Sequence, residues 1–65
     1  MIKFAIFGYD KTLKRRRLGT CGSLRGAIDA AKEEFRNSSY YVVEVETDGA
    51  DDPEIKFRIG DGLPA

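Results

Sequence analysis

The chain has no histidine and no tryptophan, one cysteine, one methionine and two prolines among 65 residues. Each scarcity excludes something. Without histidine there is no Ser-His-Asp or Cys-His catalysis and no imidazole ligand for zinc. The lone cysteine, Cys21, cannot close an internal disulfide, so a reducing, cytoplasmic setting is expected. No apolar run approaches the ~20 residues that cross a bilayer, and the N-terminus lacks a charged-then-apolar signal pattern, so no membrane role is expected. Net charge is absent as well, because 11 basic and 11 acidic residues cancel. That argues against coating nucleic acid by bulk charge, and equally against an acidic DNA mimic.

What remains is an ordinary globular composition, 42% hydrophobic and 34% charged, with no repeat and no linker. A chain this short buries only ~60% of its unfolded surface, so residues 1–65 form one domain. Residues 2–9 read as a strand rich in β-branched and aromatic side chains, with Ile2, Phe4 and Ile6 on one face and Lys3, Ala5, Phe7 and Tyr9 on the other. A three-residue turn at 10–12 leads to a very polar strand over 13–18, pairing Tyr9 with Leu13 and Phe4 with Leu18. Residues 19–22 break that strand. Ser23 is an N-cap, and Leu24, Ala27, Ile28, Ala31 and Phe35 recur at helical spacing over 24–36. Gly26 weakens the first turn and is expected to let the helix approach the sheet.

Residues 40–47 form the third strand, with Tyr41, Val43 and Val45 inward and Tyr40, Val42, Glu44 and Glu46 outward. Residues 48–53 form a loop. The fourth strand covers 54–59, with Ile55, Phe57 and Ile59 inward, and residues 60–65 read as a frayed tail. The fold class is therefore α+β, a single β-β-α-β-β domain. The crossover is expected to be right-handed, and sheet order 2-1-3-4 is chosen because it makes every neighbour antiparallel and puts the basic second strand at an edge, with one helix on one face and the other face open. Phe57 and Ile28 are expected at the centre of the core.

Charge is the clearest asymmetry. Residues 1–36 hold nine basic and four acidic groups, and residues 37–65 hold two and seven. Such a dipole suits docking on something polar; solvated hairpin charges are the plainer explanation. Within the basic half, Lys14, Arg15, Arg16 and Arg17 stand in a row. Strand alternation puts Arg15 and Arg17 on the open face with Phe7, Tyr9 and Tyr40, and leans Lys14 and Arg16 round the edge. Guanidinium forks fit phosphate and carboxylate oxygens, and aromatic rings stack on bases or anchor interfaces. The same charges also protect an edge strand from aggregation.

Other motifs carry less. Residues 19–23 precede a helix but lack the P-loop spacing and its Lys-Ser/Thr ending. Cys21 has no histidine or second cysteine to work with and reads as a small residue. Glu44 and Glu46 share a face, yet Arg58 and Lys56 are placed to pair with them, and an open face does not separate two carboxylate pKa values. Asp48, Asp51, Asp52 and Glu54 miss the calcium-loop pattern. No catalytic residue, cofactor or metal is expected, so the chain is read as a non-enzyme.

Tyr9, Asp10, Lys11 and Thr12 followed by Lys14 to Arg17, a glycine and a helix resemble the N-terminal arm-binding domain of phage integrases. That family has a Tyr-Asp, Thr-Gly and Lys/Arg-rich hairpin before its helix. Here Leu13 stands where the family has glycine, the family's third strand before the helix is missing, and two strands follow the helix. In size and layout the chain is also similar to small phage-encoded anti-defence proteins, including anti-CRISPR proteins. These are single-domain and non-enzymatic, and they block a host complex by covering its surface. This resemblance has no diagnostic motif, and no functional residue carries over from it. The reading is a binding module, monomeric or weakly dimeric, that docks on a protein or ribonucleoprotein complex through Phe7, Tyr9, Lys14, Arg15, Arg16, Arg17 and Tyr40. The alternative is a small nucleic-acid-binding domain using the same residues.

Overall fold

The computed structural model describes residues 2–49 and 51–60. The elements are β1 (Lys3–Tyr9), β2 (Arg15–Cys21), α1 (Leu24–Asn37), β3 (Val42–Asp48) and β4 (Ile55–Gly60). The four strands form one sheet in order β2-β1-β3-β4, every pair antiparallel, with α1 packed on one face. This is the expected α+β topology.

The helix begins where a hydroxyl can cap it. Ser23 has extended backbone angles, and its Oγ accepts a hydrogen bond from the Gly26 N–H at 3.1 Å. At the other end the Ser38 N–H donates to the Glu34 carbonyl at 3.0 Å, and the helix runs one residue past Arg36. The buried centre is Ile6, Ala27, Ala31, Val43 and Val45. Ile28 is not in it. Ala30 packs against this cluster instead, so the helix is rolled so that its row of alanines faces the sheet and Ile28 lies at the flank. Phe57, on an edge strand, is also peripheral and partly buried. Gly26 does not serve close approach to the sheet, because the atom a Cβ there would meet is the capping Ser23 Oγ. Alanines provide the approach.

The β1–β2 connection differs from the three-residue turn. Five residues, 10–14, separate the strands, and Tyr9 pairs with Arg15, two positions from the expected register. Asp10 organises the longer loop: its Oδ1 accepts from the Thr12 N–H, the Thr12 hydroxyl and the Lys14 N–H. A shift of two keeps every side chain on its expected face, which is why the sidedness survived the wrong register. The strand also continues through residues 19–21 rather than breaking. The pairing skips Leu18 between Phe7–Arg17 and Ile6–Gly19, and this bulge leaves Leu18 packed against the core and brings Cys21 opposite Phe4.

Both ends of the second hairpin also move residues. β3 starts at Val42; the Tyr41 N–H still donates to the Tyr9 carbonyl at 2.7 Å, but Tyr40 and Tyr41 lie outside the regular register and its alternation. Tyr40 turns to the helix side, its ring lying 2.8 Å from where a Cβ on Gly8 would be. Tyr41 is exposed rather than inward. In β4 the pairing skips Lys56, which places Ile55 opposite Glu46 on the open face, half exposed rather than inward. Gly60 belongs to β4 and pairs with Val42 at a φ of 109°, where a side chain would collide with the Tyr41 carbonyl. The rest of the expected tail, 61–65, lies outside the described residues.

Candidate interaction surface

β1 is a central strand, so its outward residues carry β2 on one side and β3 on the other. The register puts Tyr9 between Arg15 and Val42, Phe7 between Arg17 and Glu44, and Ala5 between Thr20 and Glu46. The arginines of β2 then reach across β1 to carboxylates of β3. Arg15 meets Glu46 at 2.8 Å and Arg17 meets Asp48 at 2.7 Å. From the other side Arg58 of β4 holds Glu44, with Nε at 2.7 Å and Nη2 at 2.6 Å from the same oxygen. Two of these pairs join the basic first half of the sequence to the acidic second half, and the third lies within the second half.

Arg15 also lies over the Phe7 ring, its Cζ 3.7 Å from the centroid, and Arg17 is 5.7 Å from it. Guanidinium groups stacked on an aromatic face gain electrostatic attraction to the ring quadrupole. Under this layer of long side chains Ala5, Val42 and Glu44 are buried although no second layer covers them. Burial pushes the Tyr9 phenol above its ordinary range; the nearby Glu44 charge acts in the same direction and Arg15 against it. The pairing of Glu44 with Arg58 follows the sequence expectation. Glu46 does not pair with Lys56, which meets Glu54 at 3.3 Å instead.

Four of the expected binding residues therefore come together: Phe7, Tyr9, Arg15 and Arg17. Lys14 ends the hairpin loop and is exposed. Arg16 and Tyr40 lie on the helix side, where with Asp10, Asn37, Ser38 and Ser39 they line an open depression of about 650 Å³. Hydrogen bonds from Thr12 and Lys14, with Arg16 nearby, hold the Asp10 carboxyl below its usual range. Sequence reasoning missed Glu46 and Asp48 as partners of the β2 arginines, because those pairs cross an intervening strand.

The arrangement supplies charged forks and one stacked ring on a flat surface. It offers no free carboxylate pair at its centre, since Glu44 and Glu46 are each held by an arginine. Among the described residues no group of three Asp, Glu, Cys or His side chains is placed to hold a metal ion, and no helix is long and apolar enough to cross a membrane. Comparison with protein families, with curated proteins and with solved structures found no match.

Proposed function

We propose that the chain is a non-catalytic binding module, an inhibitor or adaptor that docks on a cytoplasmic protein or ribonucleoprotein complex through β2 and the adjoining open face of β1. One observation carries this reading: Arg15 and Arg17 are held over Phe7 at the sheet's exposed basic edge. Arginine and aromatic residues are the types that most often dominate interface energetics, and here they are ordered before any partner arrives. The inhibitory form of the reading comes from the resemblance to phage anti-defence proteins.

The ion pairs favour a protein surface over a nucleic acid. A phosphate would have to displace Glu46 from Arg15 and Asp48 from Arg17, whereas a partner with mixed charge can pair with both members of each bridge. The test is capture from a host extract on the immobilised full chain, with mass spectrometry and nucleic-acid recovery. Arg15→Ala with Arg17→Ala should release the captured protein, while Asp51→Ala with Asp52→Ala should retain it. Retention by the arginine pair variant, or capture of nuclease-sensitive material alone, would overturn the assignment.

A further inference from the structure

The tip of the β1–β2 hairpin holds a residue that the open face does not explain. Leu13 has a φ of 63°, in the left-handed region that suits glycine or asparagine and is unfavourable for a bulky side chain. The strain secures no burial among the described residues, because Leu13 is 41% exposed and stands apart from the residues packed on the core. Strain retained at an exposed position is a pointer to use.

The surroundings state what that use requires. Lys11 and Lys14 flank Leu13 in the loop and Arg16 follows in β2; all three are exposed, and none has an ion pair among the described residues. Their neighbours Arg15 and Arg17, by contrast, are already paired. Asp10 is the tip's one carboxylate, and its Oδ1 is taken up by three hydrogen bonds at 2.9, 2.6 and 3.1 Å. With the Leu13 N–H donating to the Asp10 carbonyl at 2.9 Å, the loop is a rigid support. It presents one exposed apolar side chain on a short segment with three basic residues and a single carboxylate, Asp10, whose charge Arg16 faces.

We propose that Leu13 is the apolar anchor of a docking site at the hairpin tip, and that its occupant is an acidic protein segment with an aliphatic or aromatic residue among its carboxylates. The proposal rests on the reading of the chain as a protein-binding module, and it adds an anchor at the hairpin tip, beyond the open face. Leu13 packs on the partner's apolar residue, while Lys11, Lys14 and Arg16 pair with the flanking carboxylates. Charge complementarity selects this occupant over nucleic acid, which offers phosphates but no aliphatic group for Leu13 to cover.

The experiment selects a randomised displayed peptide library on the immobilised full chain. The expected peptides carry Asp or Glu around a Leu, Ile or Phe. They should bind Leu13→Gly and Leu13→Asn at least about tenfold more weakly, the loss of a hot-spot side chain. Both variants relieve the left-handed strain, so they should melt about 4 °C higher than the parent. Leu13→Met, which keeps an apolar side chain, should restore binding without the gain in melting temperature. Equal binding by Leu13→Gly, an absence of acidic-apolar peptides, or lower melting temperatures for both glycine and asparagine variants would overturn the proposal. So would self-association in sedimentation that Leu13→Gly abolishes, since the occupant would then be a second copy. Each of these results leaves the open-face reading to its own capture experiment.

Discussion

Glu44 lies on the sheet face that no helix covers, yet it is only 2% exposed. Its charge is compensated by Arg58, and its neighbours on β1 are Phe7 and Tyr9. Removing the guanidinium leaves a buried carboxylate without a counter-charge. Breaking such a pair costs several kcal/mol when both partners are buried; Arg58 is half exposed, so water offsets part of the loss and Arg58→Ala should cost about 2 kcal/mol in urea denaturation. Tyr9 adds a pH dependence. Its phenol titrates above the ordinary 10.0, so the unfolded chain ionises first. Stability is intact below that pH and falls as pH rises through it toward the folded value, so Tyr9→Phe should flatten the loss of stability seen in denaturation curves as pH rises past 10.0. Gly8 is constrained by sterics instead. A Cβ there would sit 2.8 Å from the Tyr40 ring, so Gly8→Ala should lower stability by ~1–3 kcal/mol, the usual cost of overpacking, visible as a lower melting temperature.

The helix and the two edge strands show where periodicity is a sufficient guide and where it is not. Ser23, the helix span and the inward series Ile6, Val43 and Val45 follow from capping and period alone. The roll of the helix does not, because the stripe of Leu24, Ala27, Ile28, Ala31 and Phe35 is wide enough to accept several rolls. Close packing decides in favour of the smallest residues, which allow the backbone nearest to the sheet. Two substitutions test this. Ala31→Leu, at a fully buried position, should cost ~1–3 kcal/mol by overpacking, whereas Ile28→Ala should cost less than the ~2–5 kcal/mol of a central truncation, both measured by denaturant titration. A larger loss at Ile28 than at Ala31 would place the helix axis differently. The edge strands escaped the period rule because each contains a bulge, at Leu18 and at Lys56, and one inserted residue moves everything beyond it. Ile55 came to the open face in this way. No residue type marks either bulge in advance, since both depend on how the neighbouring strand is read.

At the scale of the whole molecule, stability is limited by size. In a chain of 65 residues a single core rarely supplies more than ~3–5 kcal/mol. Ile6→Ala, at a cost of ~2–5 kcal/mol, should therefore leave a large unfolded population at room temperature, read as loss of cooperative thermal unfolding by circular dichroism. Hydrophobic alternation, the cap at Ser23, antiparallel neighbours and a basic strand kept at the edge are local or topological constraints, and they were enough to settle the element order, the 2-1-3-4 sheet and the face on which Arg15, Arg17, Phe7 and Tyr9 lie. A sequence also states its total charge and how that charge is divided along the chain. It does not state which charges meet, because Arg15 with Glu46 and Arg17 with Asp48 are brought together only when β1 is laid between β2 and β3. The left-handed turn at Leu13 and the inward swing of Tyr40 also belong to the folded chain. The position of Tyr40 is set by packing against Gly8 and the core, whereas the Leu13 turn is closed by hydrogen bonds within residues 10–14 that the expected three-residue turn left out.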